Sequence, residues 1–300
     1  MVTLKDLVTK MEAPYIYEYN VYAAKNALPI YFVHNGTVGD IDNHVLHMHD
    51  SMEIYFFIAG DHKYVVDNTI YDLSYGDIII INPGEIHKVL PLSETAYERF
   101  FFRIDCNLFE NMHFDPLAEL LNRPDGVGNL LVLDKKDKDE VISMLYEISQ
   151  YIQEEQNEPF RIYSLIMRIL DIIVYNIQKK SWQQMFPSSA AFRSPELIEK
   201  ILEYITENAA RIESITEISA ALGMTPQYVS SYFSKYMGIP LKSYIQTKKI
   251  ALAKSMLIAG SNVTETCFAC GFNDCSYFIR IFRKYAGMTP AAYRRMNCNT

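Results

Sequence analysis

The chain has 300 residues, is 49% hydrophobic and 21% charged, and carries a formal net charge of −8. That length suits two domains with cores of their own, and the composition excludes collagen-like and disordered chains. The first ten residues lack an apolar core and no apolar run approaches the length of a membrane span, so neither a signal peptide nor a bilayer helix is expected, and five scattered cysteines fit free thiols in a reducing cytoplasm.

Residues 1–114 are rich in short runs of Tyr, Ile, Phe and Val. Turn signals at Asn35-Gly36, Asp67-Asn68, Gly76-Asp77 and Asn82-Pro83-Gly84 break them at spacings of roughly ten residues, the pattern of an antiparallel sandwich or barrel. Within this zone stands His47-x-His49-x-x-x-Glu53, and His87 follows the Pro-Gly turn on another strand. Side chains of equal parity share one face of a strand, so His47, His49 and Glu53 can point into one interior. Over residues 33–91 this arrangement resembles the cupin β-barrel. In metal-binding cupins three histidines and one carboxylate hold a divalent ion, so the resemblance implies His47, His49, Glu53 and His87 as ligands for Fe, Mn, Ni or Zn. The competing reading is a metal-free pocket whose polar groups bind an organic effector, for which no cofactor is required. Two departures from the metal-cupin pattern are a displaced Gly39 and Pro91 in place of an asparagine. Further pocket candidates are Tyr31, Tyr55, Phe57, Arg99, Phe101 and Arg103, aromatic faces with a few polar groups of the kind that suit a sugar.

Residues 115–180 read as a helical connector. Val141, Leu145, Ile148 and Ile152 recur at helical spacing, as do Ile162, Leu165, Ile166, Ile169, Ile172 and Ile173. The segment 160–177 offers more apolar positions than one stripe needs, so it is predicted to be the surface of a homodimer, with Ile169 and Ile172 in the contact. Residues 181–194, with Pro187-Ser188-Ser189, are predicted to be a linker.

Residues 195–300 are predicted to form an all-α domain. Residues 228–244 read YVSSYFSKYMGIPLKSY and 277–293 read YFIRIFRKYAGMTPAAY; six identities align at an offset of 49. Self-similarity at one offset marks a supersecondary unit used twice. Each unit is predicted to be a short helix, a turn at Gly223 or Gly271, and a second helix ended at Gly238 or Gly287. Thr225 with Pro226, and Asn273 or Asp274, are the expected caps. Residues 242–258 form the joining helix. Between residues 225 and 295 ten basic residues face two acidic ones, whereas the first 192 residues hold 15 basic and 28 acidic ones. A basic, twice-repeated helix-turn-helix is the pattern of a module for double-stranded DNA; a hairpin repeat for protein contacts is the alternative. Cys267-x-x-Cys270 with Cys275 lacks a fourth zinc ligand and reads as core or surface thiols. Tyr228, Tyr277, Phe233, Phe282, Leu222, Phe272, Ala253 and Leu257 are predicted core.

The stretch GFNDCSYFIRIFRKYAGMTPAAYRR, residues 271–295, resembles the signature of the AraC-type transcription regulators, and the resemblance extends over about 201–295. It implies two recognition helices about one DNA turn (roughly 34 Å) apart. By that resemblance the base-facing residues are Gln227, Ser230 and Ser231 in the first helix and Cys275, Ser276, Ile279 and Arg280 in the second. Arg280 suits a bidentate guanine contact. Lys235, Lys249, Arg283 and Lys284 suit phosphates. Ser231 and Lys249 stand where the family often has arginine, which leaves most specificity to the second helix. The resemblance also implies a cytoplasmic homodimeric activator that works with RNA polymerase. Its cupin-like sensor would bind a small molecule, a carbohydrate by family analogy, through His47, His49, Glu53, Tyr55, His87 and Arg99. The α+β multidomain chain is therefore expected to be no enzyme. The alternative is a metal-dependent cupin enzyme with an accessory DNA-binding domain.

Overall fold

The computed structural model describes residues 15–20, 30–37, 46–93, 97–105, 128–153, 159–179, 191–192 and 195–297. Gly39, Cys106, Cys298 and most of the predicted linker, including Pro187-Ser188-Ser189, lie outside the described residues.

The strands are β1 (Tyr15–Asn20), β2 (Ile30–Thr37), β3 (Met52–Ala59), β4 (His62–Val66), β5 (Thr69–Asp72), β6 (Ile78–Ile81), β7 (His87–Pro91), β8 (Tyr97–Ile104), β9 (Leu130–Leu131) and β10 (Ala191–Phe192). They form two antiparallel sheets, ordered β1-β2-β8-β3-β6-β9 and β10-β5-β4-β7. Parity decides what each face meets. Tyr55, Phe57, Val33, Phe101, Ile79 and Ile81 fill the space between the sheets with Tyr64, Val66, Tyr71 and Val89. Ile54, Phe56, Phe32, Phe100, Phe102, Ile78 and Ile80 point the other way into a second core. A strand buried on both faces carries no alternation, which is why β6 is four isoleucines in a row.

That second core is completed by helices α1 (Lys135–Gln153) and α2 (Pro159–Lys179), which pack on the outer face of the larger sheet. A buried polar contact pins α1 there: Tyr146 Oη donates to Glu98 (2.7 Å), and His34 Nε2 lies 2.8 Å from the same carboxylate. This corrects the expectation of a separate connector with a dimer face. Ile169 and Ile172 are buried within the chain itself, as are Ile162, Ile166 and Ile173. The excess of apolar positions on α2 arises because it covers both α1 and a sheet. Leu130–Leu131 and Ala191–Phe192 add strands to the two sheets inside zones predicted to be helical connector and linker. Two-residue strands are too short to show a period.

The carboxyl-terminal domain contains α3 (Glu196–Asn208), α4 (Ile215–Ala221), α5 (Pro226–Met237), α6 (Leu241–Ile258), α7 (Val263–Ala269), α8 (Cys275–Ala286) and α9 (Pro290–Asn297). Its caps are the expected ones. Thr225 Oγ1 accepts from Tyr228 N (3.3 Å), and Asp274 Oδ1, not Asn273, accepts from Ser276 N (2.7 Å) and Tyr277 N (3.2 Å). Gly238 and Gly287 close α5 and α8 in the left-handed region, at φ 63° and 72°. Val229, Phe233 and Met237 of α5 share one buried cluster with Phe278 and Phe282 of α8. The same cluster takes in Leu46, Met48, Val65, Ile70 and Ile86, so the outer face of the smaller sheet docks on this domain.

Candidate nucleic-acid interface and effector pocket

Each second helix buries its apolar edge and leaves the opposite edge in solvent. On α5, Gln227, Ser231 and Lys235 are exposed and Ser230 is half-buried; on α8, Ser276, Ile279, Arg280, Arg283 and Lys284 are exposed and Cys275 is half-buried. Arg280 is held over the Tyr277 ring, its Cζ 5.3 Å from the centroid. Gln246 Nε2 donates to Tyr277 Oη at 2.5 Å, fixing that ring from α6. A groove of about 820 Å³ opens beside this edge, lined by Ser214, Lys242, Gln246, Ser276, Tyr277 and Arg280 among others. Lys242 and Gln246 were missed from the sequence, although both lie on the predicted joining helix at i, i+4 spacing.

Two expectations change. Lys249 is only 7% exposed, and its ammonium donates to the Gly271 carbonyl at 2.7 Å beneath the Phe272 ring. It ties the two units together instead of offering a free cation to phosphate. Tyr228, predicted core, is 50% exposed and stacks on Tyr232 at the edge of α5. Cys267 and Cys270 are buried thiols, and burial pushes them up to about 12 and about 11.

Between the two sheets the structure brings His47, His49 and His87 together, one ring nitrogen from each lying within 4.8 Å of the others. His47 and His87 face each other across a backbone bridge, N to O at 3.1 and 2.9 Å. His87 Nδ1 lies 2.9 Å from the Glu85 carbonyl, which can only accept, so the ring proton sits on Nδ1. Its Nε2 is buried without a partner and carries the free lone pair. Burial, then the nearby His47, holds the His87 pKa well below its ordinary value. A backbone-oriented imidazole with a bare Nε2 is the usual arrangement of a metal ligand. A tetrahedral ion needs nitrogens roughly 3.3 Å apart, so these rings would have to draw closer to hold one.

Glu53 is not the fourth donor in this geometry. Its carboxylate accepts from His49 Nε2 (2.9 Å), Arg103 Nε (3.1 Å) and Tyr64 Oη (3.4 Å). Burial pushes Glu53 up, but the His49 hydrogen bond and the positive neighbours override it and hold the carboxyl well below the usual range. His49 is thus engaged at both nitrogens, Nε2 by Glu53 and Nδ1 at 2.8 Å from the Ser51 carbonyl, and has no bare lone pair in this geometry. Four residues along β8 from Arg103, Arg99 faces the same interior beside Tyr55, Tyr97 and Phe101. Tyr55 Oη and His62 Nε2 are hydrogen-bonded at 2.9 Å. Asn35 and Tyr97, which share this region, were missed; Asn35 has the parity of Tyr31 and Tyr97 that of Arg99, the one signal that singles them out.

The segments that carry these histidines also touch the carboxyl-terminal domain. Asp50 accepts from Lys254 Nζ (2.9 Å) and Tyr293 Oη (3.1 Å). Lys88 donates to the carbonyl of Met237 at 3.2 Å, capping the negative end of α5, and burial pulls its pKa down to about 8. Asp67 pairs with Lys248, and Tyr244 Oη donates to the Asp67 carbonyl (3.1 Å).

Two family models match the chain: an AraC-like ligand binding domain over residues 39–167 and a helix-turn-helix domain over residues 218–296. Among curated proteins, an uncharacterized HTH-type transcriptional regulator of Escherichia coli (strain K12), YijO, is 31% identical over 52% of this chain; the chain spans about half (51%) of that relative's length. The melibiose operon regulatory protein of the same organism is 20% identical over 84% of this chain and 83% of its own. Among solved structures, ToxT from Vibrio cholerae O395 aligns over 95% of this chain and 97% of its own, at 14% identity and a TM-score of 0.37. No helix among the described residues is long and apolar enough to cross a membrane.

Proposed function

The chain belongs to the AraC-type transcription regulators, and from that premise we propose that it is a cytoplasmic homodimeric activator whose helices α5 and α8 read DNA while the barrel takes a carbohydrate effector. One observation carries the DNA reading. Both second helices bury one edge in a common cluster and hold their polar, basic edge in solvent. The carbohydrate reading draws on the aromatic interior of the barrel and on a relative named for the melibiose operon. RNA polymerase is the partner an activator of this family requires.

The test is binding to duplexes from the chain's own upstream DNA, measured by fluorescence anisotropy at several salt concentrations. Affinity is expected to fall steeply as salt rises. Arg280→Ala is expected to weaken the specific complex by about 1–3 kcal/mol and relax one base position. Affinity and sequence preference that both survive the substitution would remove α8 from the interface, and no duplex binding at low salt would overturn the whole reading.

A second reading of the pocket rests on the bare Nε2 of His87: a divalent ion held by His87 with His47, and with His49 once that ring gives up its Glu53 or Ser51 contact. Elemental analysis after loading with Zn²⁺ or Mn²⁺ should find about one ion per chain, lost in His87→Ala. Equal metal content in that variant would sink this reading.

A further inference from the structure

Four residues along β8 from Arg103, or roughly 13 Å, the barrel interior encloses a cation with no ion-pair partner among the described residues. Arg99 is 6% exposed. No carboxylate pairs with it among the described residues, and its Nε has no hydrogen-bond partner. Glu53, the interior carboxylate, is engaged by Arg103 and His49 instead. The Tyr55, Tyr97 and Phe101 rings stand 5.8, 5.3 and 5.2 Å from the guanidinium carbon. Two more buried polar atoms nearby lack partners, Tyr97 Oη and Asn35 Oδ1. The sheet register places Asn35, Arg99 and Phe57 in one row across β2, β8 and β3.

Buried polar groups are hydrogen-bonded almost everywhere in folded proteins, and an unpaired buried cation is costlier than a neutral group. Three such groups converging in one barrel make a set of ligand contacts waiting for their counterpart. The donors are the planar guanidinium fork and a phenol hydroxyl, which match the oxygens of a carboxylate or phosphate. The acceptor is an amide oxygen, which matches a ligand hydroxyl. The walls are aromatic faces, which pack on the C–H side of a sugar ring.

We propose that the effector carries an anionic group bound by Arg99 and Tyr97, with a hydroxyl on Asn35: an acidic sugar, either a sugar carboxylate or a sugar phosphate. The sugar part rests on the carbohydrate reading above; the anionic part does not. A neutral saccharide would leave the guanidinium desolvated and unpaired, which selects against it.

The experiment is thermal shift and calorimetry on the full chain with glucuronate, gluconate, glucose 6-phosphate, neutral glucose and, as acids without a sugar, benzoate and inorganic phosphate. At least one acidic sugar should raise the melting midpoint where glucose at equal concentration does not, and the carboxylate and phosphate arms separate the two anion types. Arg99→Gln should weaken that binding more than 100-fold. Because Arg99→Gln can disturb the barrel, Tyr97→Phe is the second variant. It deletes only a hydroxyl that is unpartnered in this structure, so it should leave the ligand-free midpoint unchanged or higher while weakening the acid about tenfold. Neutral glucose binding as well as the acids, or acid binding unchanged in both variants, overturns the anionic proposal and leaves the sugar reading standing. Arg99-dependent binding of benzoate or inorganic phosphate alone keeps the anion site and removes the sugar. Binding by none of the six overturns both.

Discussion

Replacing Ile169 by glutamate is expected to unfold the amino-terminal domain, not to divide a dimer. Ile169 lies at the centre of the α2 face and is fully buried by α1 and the larger sheet. Removing a buried isoleucine from such a site already costs about 2–5 kcal/mol. The added carboxyl has no cation or donor to meet among Ile54, Phe102, Leu145 and Ile148, which belong to the same cluster, so it adds a burial penalty of several kcal/mol. The sum, roughly 5 kcal/mol or more, is comparable with the whole stability of a domain. Urea denaturation followed by circular dichroism should show the amino-terminal transition lost and the helical domain still cooperative. A folded variant with only an altered sedimentation profile would instead assign this face to a subunit contact. Phe160, 83% exposed on the same helix, is the control, and its replacement by alanine should change stability by about 0.5 kcal/mol or less.

The contrast between Ile169 and Thr225 explains how far the sequence reaches. Caps and chain reversals are local. Thr225 with Pro226, Asp274, Gly238 and Gly287 each act within a turn of their own position, and each sits where the sequence places it. Gly271 was read only as a turn residue; the structure adds that a Cβ there would lie 2.0 Å from the Ala210 carbonyl oxygen, a contact no local pattern discloses. Strand parity is the ground on which His47, His49 and Glu53 are expected on one face, yet only Glu53 stands in a strand, β3, while His47 sits on an isolated bridge and His49 outside any strand. Parity does not say which partner arrives first, so it could not foresee that Arg103 and His49 take up Glu53. The same holds for Lys249, whose charge suggested DNA while its place on α6 turns it toward Gly271. The apolar surplus of α2 was visible, but whether a helix covers its own sheet or another chain depends on distant segments.

The interdomain contacts were wholly illegible, because they join a turn at Asp67 to a helix some 180 residues away, and they give the other large expected effect. Asp67 holds a left-handed backbone, φ 47°, that asparagine and glycine tolerate better than other residues. Its carboxylate pairs with Lys248, whose side chain is 15% exposed, and its neighbour Asn68 accepts from Tyr244 Oη at 2.9 Å. Asp67→Ala leaves the Lys248 ammonium largely buried without its partner, and removing one member of such a pair costs about 3 kcal/mol or more. Asp67→Asn keeps the backbone preference and removes only the charge, so it separates the ion pair from the turn. Asp50→Asn should matter less, because the Asp50 side chain is 53% exposed and screened. The consequence for regulation follows from where these residues sit. Lys88 and Asp50 directly follow His87 and His49 in the chain, so a ligand that moves the histidines moves two of the contacts that grip α5, α6 and α9. A ligand can shift the domain arrangement only by the difference in its affinity for the two arrangements. With the Asp67 pair gone, the docked state rests on the apolar cluster and the Lys88 and Asp50 contacts alone and is weakened. The effector-dependent change in DNA affinity is therefore expected to shrink several-fold in Asp67→Ala, while effector still binds the barrel. Hydrogen exchange along α6 should rise in the same variant. Retention of the full effector-dependent change in DNA affinity, with exchange along α6 unaltered, would place the coupling in some other contact between the smaller sheet and the helices.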